Sequence, residues 1–446
     1  MTLHTPFLAV RDLAIRLDGA SHDYDALIDM SKNKRFVLLG EATHGTAEFY
    51  QMRSDISRRL IAEQGFDGVA IEGDWPDAWF VNRFVTHETG GTTESALSRF
   101  ERFPTWMWRN REVLQFVTWL REHNESLRHA QRAGFYGLDL YSLYRSADDV
   151  IRYLDRVDPQ CAQAARERYT SLDHVRDAQT YGYQAALAMR PSAQQAVQRQ
   201  LEELRARSAE YLHADGVRAL DAQFAAERNA VTVVNAETYY RAMFGSRVNT
   251  WNLRDAHMRD TLLALAEYRQ RRGGSGRIVV WAHNSHVGDA RATEMGQRGE
   301  WNLGQLMRET ARDETLSIGF TTYTGHVAAA SEWDGDVEHK HVRPALAGSY
   351  EHLFHDTHLD RFFLSLTSTT AAPLRESMLE RAIGVLYLPQ SERASHYFDA
   401  SIAAQFDAVF HLDETAAVEP LSVPHHWPER HGAAENHLLM SRNIKP

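Results

Sequence analysis

Histidines and carboxylates stand just beyond three short apolar runs of this 446-residue chain, and together they are the parts of a water-activating site. The run Phe36–Leu39 leads into Gly40-Glu41-Ala42-Thr43-His44-Gly45 and then into a segment of helical period, a strand, loop and helix in sequence. Gly68-Val69-Ala70-Ile71 leads into Glu72-Gly73-Asp74-Trp75, which puts acids on what reads as a neighbouring strand. A later run, Ile278–Trp281, ends in Ala282-His283-Asn284-Ser285-His286. In open α/β sheets, ligands bind beyond the carboxyl ends of the strands, so these residues occupy the place where chemistry is expected. A neutral imidazole takes a proton from water, and a nearby carboxylate supports the cation that results. The helix after Thr46 points its positive end at this loop, which disfavours a charged His44.

Taken singly, a Glu or His in a loop is more often a helix cap, a turn residue or a surface group. Three strand ends that share the pattern are harder to explain by packing, because buried charge is costly unless paired. Arg53 and Arg254 are the cations that can counter these acids or polarise a carbonyl, and each also has an ordinary reading as a helix-surface ion pair. Trp106-Met107-Trp108-Arg109-Asn110 reads either as an aromatic wall with polar tips facing a substrate, beside Asp74 and Trp75, or as core. The pairs His339 and His341, His355 and His358, and His425 and His426 have spacings that can ligate metal, yet they lack the Cys or Glu companions of a standard zinc motif and read as solvated. No metal and no cofactor are expected. Gly-x-Ser-x-Gly and His-Glu-x-x-His are both absent, and Gly40–Gly45 has the glycine spacing of a phosphate loop but is followed by Thr46 instead of Lys. Water, not a side-chain nucleophile, is the expected attacker.

These residues need rigid elements to hold them. Apolar runs bounded by turn signals recur at Arg35–Gly40, Gly68–Ile71, Gly134–Leu138, Arg277–Trp281, Thr315–Phe320, Phe362–Leu366, Ala382–Leu388 and Phe406–Phe410, each read as a strand. Helical segments such as Ala47–Gln64 and Arg111–Asn124 alternate with them, which predicts an α/β fold with a mostly parallel sheet flanked by helices. From Ser146 to Arg272 no strand is evident and Ala, Gln, Arg, Glu and Leu dominate. The expected organisation is a core of residues 1–145 and 273–446 with a mainly helical insertion, 146–272, capping the carboxyl ends of the strands. Gly273–Gly276 is the turn that returns the chain to the sheet.

A net charge of −11 repels phosphate backbones and anionic lipid, so neither nucleic acid nor membrane is an expected partner. No stretch approaches the roughly 18 apolar residues of a spanning helix. Met1–Asp18 is broken by Arg11, Asp12, Arg16 and Asp18, unlike a signal peptide, and the lone Cys161 fits a reducing compartment. A cytoplasmic enzyme is the expectation.

Four blocks resemble the erythromycin esterase family: Leu39–Gly45, Ile71–Trp75, Phe103-Pro104-Thr105-Trp106-Met107-Trp108-Arg109-Asn110 and Val280–His286. The resemblance implies an α/β core with a helical subdomain, and a deep cleft where a histidine activates water against a small-molecule ester or lactone, a macrolide lactone among them. It implies His44 as general base, Glu41, Arg53, Glu72 and His283 as supporting or substrate-polarising partners, and His286 beside them. Two other readings use the same residues: ligands for a divalent ion that acidifies water, or a binding protein for haem or another small ligand without turnover.

Overall fold

The apolar runs pair into a nine-stranded mixed sheet in the computed structural model, which describes residues 5–173, 177–214, 219–245 and 249–422. Its strands are β1 (Ala14–Arg16), β2 (Phe36–Leu39), β3 (Gly68–Asp74), β4 (Gly134–Asp139), β5 (Ile278–Trp281), β6 (Thr315–Ala329), β7 (Glu338–Val342), β8 (Arg361–Ser365) and β11 (Ala408–Thr415). β9 (Met378–Arg381) and β10 (Tyr397–Ala400) form a separate antiparallel pair. The order is β1-β8-β11-β6-β2-β5-β3-β4, with β7 paired to β6. From β11 to β4 every pairing is parallel, while β8, β1 and β7 join antiparallel.

Every residue of β2, β3, β4 and β5 is buried, as expected for parallel strands covered on both faces. Side chains alternate between two cores: Val37, Leu39, Val279 and Trp281 pack on one face, and Phe36, Leu38, Ile278 and Val280 on the other. The helix Ala47–Gln64 leaves β2, and the helix Trp75–Val85 leaves β3 directly.

Two strand expectations change. β2 and β3 are not neighbours, because β5 is hydrogen-bonded between them; the chain supplies that central strand only after more than a hundred intervening residues. Ala382–Leu388 is not a strand. Ile383 bridges Thr43 and Leu386 bridges Ala330, so this run braces the ends of other elements instead of pairing along its length.

Between β4 and β5 every described element is helical, from Leu143–Val157 to Thr250–Arg271. Leu143, Val150, Leu154, Val197, Leu204 and Val233 build a core of their own. The last helix is different: its Met258, Leu262, Leu265 and Ala266 join the core on one face of the sheet. The turn after it has Gly273 and Gly276 at φ +85° and +72°, a left-handed backbone that a side chain would strain. There Gly276 N donates to Asp67 Oδ2 at 2.6 Å, which aims the chain into β5.

Candidate active site

The four adjacent strands β2, β5, β3 and β4 end side by side, and their carboxyl ends carry Glu41 and His44, His283 and His286, Glu72, and Asp139. The loop after β2 is held from outside. Its His44 N donates to the Ile383 carbonyl, while Ile383 N and Ala328 N donate back to the Ala42 and Gly45 carbonyls. A Cβ on Gly45 would stand 2.0 Å from the Ala328 carbonyl oxygen, so this residue must be glycine for the loop to lie against β6.

His44 Nδ1 is 2.9 Å from Glu41 Oε1, and Arg53 Nη2 donates to the other Glu41 oxygen at 2.7 Å. Facing a carboxylate, Nδ1 carries the proton and leaves Nε2 as the basic nitrogen. Glu41 and Arg53 are fully buried and His44 is 8% exposed. The guanidinium lies over the Tyr50 and Trp281 rings, at 4.3 and 5.3 Å, and Tyr50 donates to the His44 carbonyl. Glu41 is therefore fixed from both sides.

His283 faces His44 with ring centroids 4.9 Å apart. Its Nδ1 receives the Ser285 N–H at 3.2 Å and lies 2.8 Å from the Ser285 hydroxyl, so the proton belongs on Nε2. That Nε2 is buried and makes no hydrogen bond of ordinary geometry, the Ala42 carbonyl being the backbone acceptor that acts on the ring. Burial first, and then His44, depress the imidazole pKa to about 3, so His283 is neutral at physiological pH.

Glu72 Oε2 accepts the His283 N–H at 2.9 Å, and Oε1 accepts from Arg254 Nη2 at 2.7 Å. Burial opposes its ionisation, but His286, Arg254 and His44 more than offset it and hold Glu72 well below the usual carboxylate range. Arg254, from the helix Thr250–Arg271, also donates to both oxygens of Asp139, at 3.0 and 2.7 Å. His286 contacts the Asp255 carboxylate through Nδ1 at 2.9 Å, and its ring stacks on Trp251 with centroids 4.3 Å apart. Its Nε2 lies 3.3 Å from Glu72 and 3.0 Å from Arg254 Nη1; protonated, it points at Glu72, and neutral, it accepts from Arg254. Burial favours the neutral form, yet Asp255 and Glu72 outweigh it and raise His286 to about 9.

Glu41, His44, Arg53, Glu72, His283, His286 and Arg254 are thus brought together. Asp74 stands at the edge, accepting from Arg102 Nε at 3.0 Å and Tyr141 N at 3.1 Å. Trp108 packs edge-on to Tyr50 near Gly73. The other expected substrate contacts lie elsewhere. Trp75, 1% exposed, stacks on Trp79 and Tyr136, because it opens the helix after β3 and turns into the opposite core. Asn110 caps the helix Arg111–Asn124, accepting from Val113 N and donating to the Trp106 and Met107 carbonyls, so its amide is spent on backbone. Trp106 packs edge-on to Phe103 in the core, and Arg109 reaches Ser422 at 3.3 Å.

Sequence reasoning missed Asp139, Asp255 and Trp251. Asp139 had a signal, since it ends the run Gly134–Leu138 as Glu72 ends its own; Asp255 and Trp251 lie within a polar helix and had none. His355 pairs with Asp413 at 2.7 Å, and His425 and His426 lie outside the described residues. Among the described residues, one group of three side chains has metal-ligating atoms within 4.8 Å of one another: Glu88, His129 and Asp221. It lies away from this cluster, and Arg272 already meets it, 3.1 Å from Asp221 and 2.5 Å from His129 Nδ1. Among the described residues no helix is long and apolar enough to cross a membrane.

The sequence model of the erythromycin esterase family matches residues 61–415. That span includes Glu72, Arg254, His283 and His286 but begins after Glu41, His44 and Arg53, whose place in the cluster rests on geometry and, for Glu41 and His44, on the Leu39–Gly45 block as well. An Escherichia coli protein named erythromycin esterase type II is 21% identical over 344 residues, 72% of this chain and 77% of that protein. The crystal structure of a succinoglycan biosynthesis protein superposes with a TM-score of 0.75 at 20% identity, over 93% of this chain and 97% of the other. A mutant erythromycin esterase, EreC, in its open conformation superposes with a TM-score of 0.64 at 16% identity, over 90% and 95%. At these identities the structures establish the shared fold.

Proposed function

The chain belongs to the erythromycin esterase family, and from that premise we propose that it hydrolyses a carboxylic ester or lactone with water activated by His44. One observation carries the reading: a Glu41-held imidazole lies ring to ring against the neutral His283, whose buried Nε2–H makes no hydrogen bond of ordinary geometry. In this reading base and oxyanion donor stand side by side, ring against ring.

In this mechanism His44 Nε2 takes a proton from water as the oxygen attacks the carbonyl carbon. Glu41, held by Arg53, stabilises the imidazolium. The carbonyl π pair moves onto oxygen, and the oxyanion receives the His283 Nε2–H. Collapse of the tetrahedral intermediate re-forms the carbonyl and breaks the C–O bond, and the leaving alkoxide recovers the proton from His44. Glu72 fixes the His283 backbone and, with Asp139, anchors Arg254 at the rim.

The same geometry speaks against reading the cluster as a metal centre. The carboxylate oxygens of Glu41 and Glu72 are bonded to Arg53 and Arg254, and a guanidinium is an unfavourable neighbour for a divalent cation. The helical segment 146–272 serves as a cap in this reading, because its last helix brings Trp251, Arg254 and Asp255 to the cluster. Macrolide lactones are one substrate class to test, on the strength of the family's name. The experiment is a hydrolysis screen of the purified chain against aryl and alkyl esters, small lactones and macrolides. Turnover of at least one class, lost in His44→Ala, is expected. Absence of turnover across the whole panel contradicts the proposal.

A further inference from the structure

The β6–β7 hairpin carries three histidines on one face. His326 on β6 is directly opposite His341 on β7, and His339 lies two residues from His341, opposite Ala328. Side chains alternate along a strand, so residues two apart and directly opposed residues share a face. The rings have found each other: His326 and His339 are 4.6 Å apart between centroids with planes at 28°, and His326 and His341 are 5.4 Å apart at 75°.

We propose that His326, His339 and His341 bind one divalent transition-metal ion, of the zinc, copper or nickel class. Two imidazoles on a tetrahedral ion, with metal–nitrogen bonds of roughly 2.0–2.1 Å, have ring centroids about 5 Å apart, and the two separations here bracket that value. Imidazole is the ligand these borderline ions prefer, and a carboxylate or water completes the set. Glu414 supplies the carboxylate charge nearby: it stands in β11 opposite Thr324, two residues from His326, and acts on the His326 ring. The neighbouring cation is turned away. Lys340 lies between His339 and His341 and so points to the opposite face, where its Nζ donates to the Tyr387 carbonyl at 3.0 Å.

The ligating nitrogens of the three rings do not yet converge, and the face-to-face packing of His326 and His339 means that closing on an ion takes a rotation of the half-buried His339 as well as of the exposed His341. A bound ion ties β7 to the strand whose Ala328 N–H holds the Gly45 carbonyl, so it braces the loop that carries His44 without entering the reaction. The inference is independent of the hydrolytic reading.

The test is titration of the chelator-stripped chain with Zn²⁺ by calorimetry, together with pulsed electron paramagnetic resonance of the Cu²⁺ form to count imidazole ligands. One ion per chain and three coordinating imidazoles are expected. His326→Ala, His339→Ala and His341→Ala should each weaken Zn²⁺ binding at least tenfold, and circular dichroism should show them folded. His341→Ala is the safest variant, since that side chain is exposed. Absence of saturable binding overturns the proposal, as does binding that survives the triple variant or that is lost in His129→Ala instead.

Discussion

Glu41 spends one oxygen on His44 and the other on Arg53, so the pair that fixes the base is itself fixed by a buried cation. Arg254 is placed differently, because Asp139 remains beside it when Glu72 loses its charge. Glu72→Gln should still fold, because Asp139 keeps hold of Arg254, at some cost in stability, while kcat/KM falls by roughly tenfold or more as the carboxylate that holds the His283 backbone and the rim charge disappears. Wild-type kinetics for that variant would remove Glu72 from the account. The two histidines after β5 predict opposite pH dependences. His286 is raised to about 9 from an unfolded value of about 6.5, so its contribution to stability is full below about 6.5 and is lost as pH rises toward 9. His283 is lowered to about 3, so the unfolded chain binds the proton first and stability is lost as pH falls from about 6.5 toward 3. Denaturant unfolding of wild type and His283→Gln between pH 4 and 7 should show the steeper acid loss in wild type. Parallel curves would deny the burial of a neutral His283.

Elements decide which of these residues meet. Glu41, His44, Glu72, His283 and His286 were legible because each follows an apolar run, and a run's carboxyl end is a position that sequence alone marks. That β5 separates β2 from β3 was not legible, since the central strand arrives after the whole helical segment. β7 and β9 were missed because they are short and polar, Glu-His-Lys-His-Val and Met-Leu-Glu-Arg. Ala382–Leu388 has a strand's composition but finds only isolated bridges, and Trp75 and Asn110 lie next to motif residues while serving the core and a helix cap. Asn110→Ala should accordingly cost about 1 kcal/mol of stability, the usual worth of such a cap, and leave kcat/KM unchanged. A selective loss of KM or kcat at undiminished stability would return Asn110 to the substrate.

At the scale of the whole molecule, the helical segment meets the sheet where the chemistry is. Tyr239 and Tyr240 hydrogen-bond to Tyr141, whose ring lies under Arg254 and Arg102 at the rim. Tyr239→Ala should therefore change the ratio of kcat/KM between two esters of different size without moving the pH profile. Arginines at both carboxylates predict that hydrolysis survives exhaustive chelation, even if the ion proposed for the hairpin is removed. The central claim is that His44 draws the proton from the attacking water. Its most direct test is kcat/KM of purified His44→Ala beside wild type, on an ester that wild type cleaves, with thermal unfolding of both recorded by circular dichroism. The account predicts a loss of roughly 10²-fold or more, the range of a general base, at an almost unchanged unfolding midpoint. A folded His44→Ala chain that turns over at the wild-type rate would contradict it.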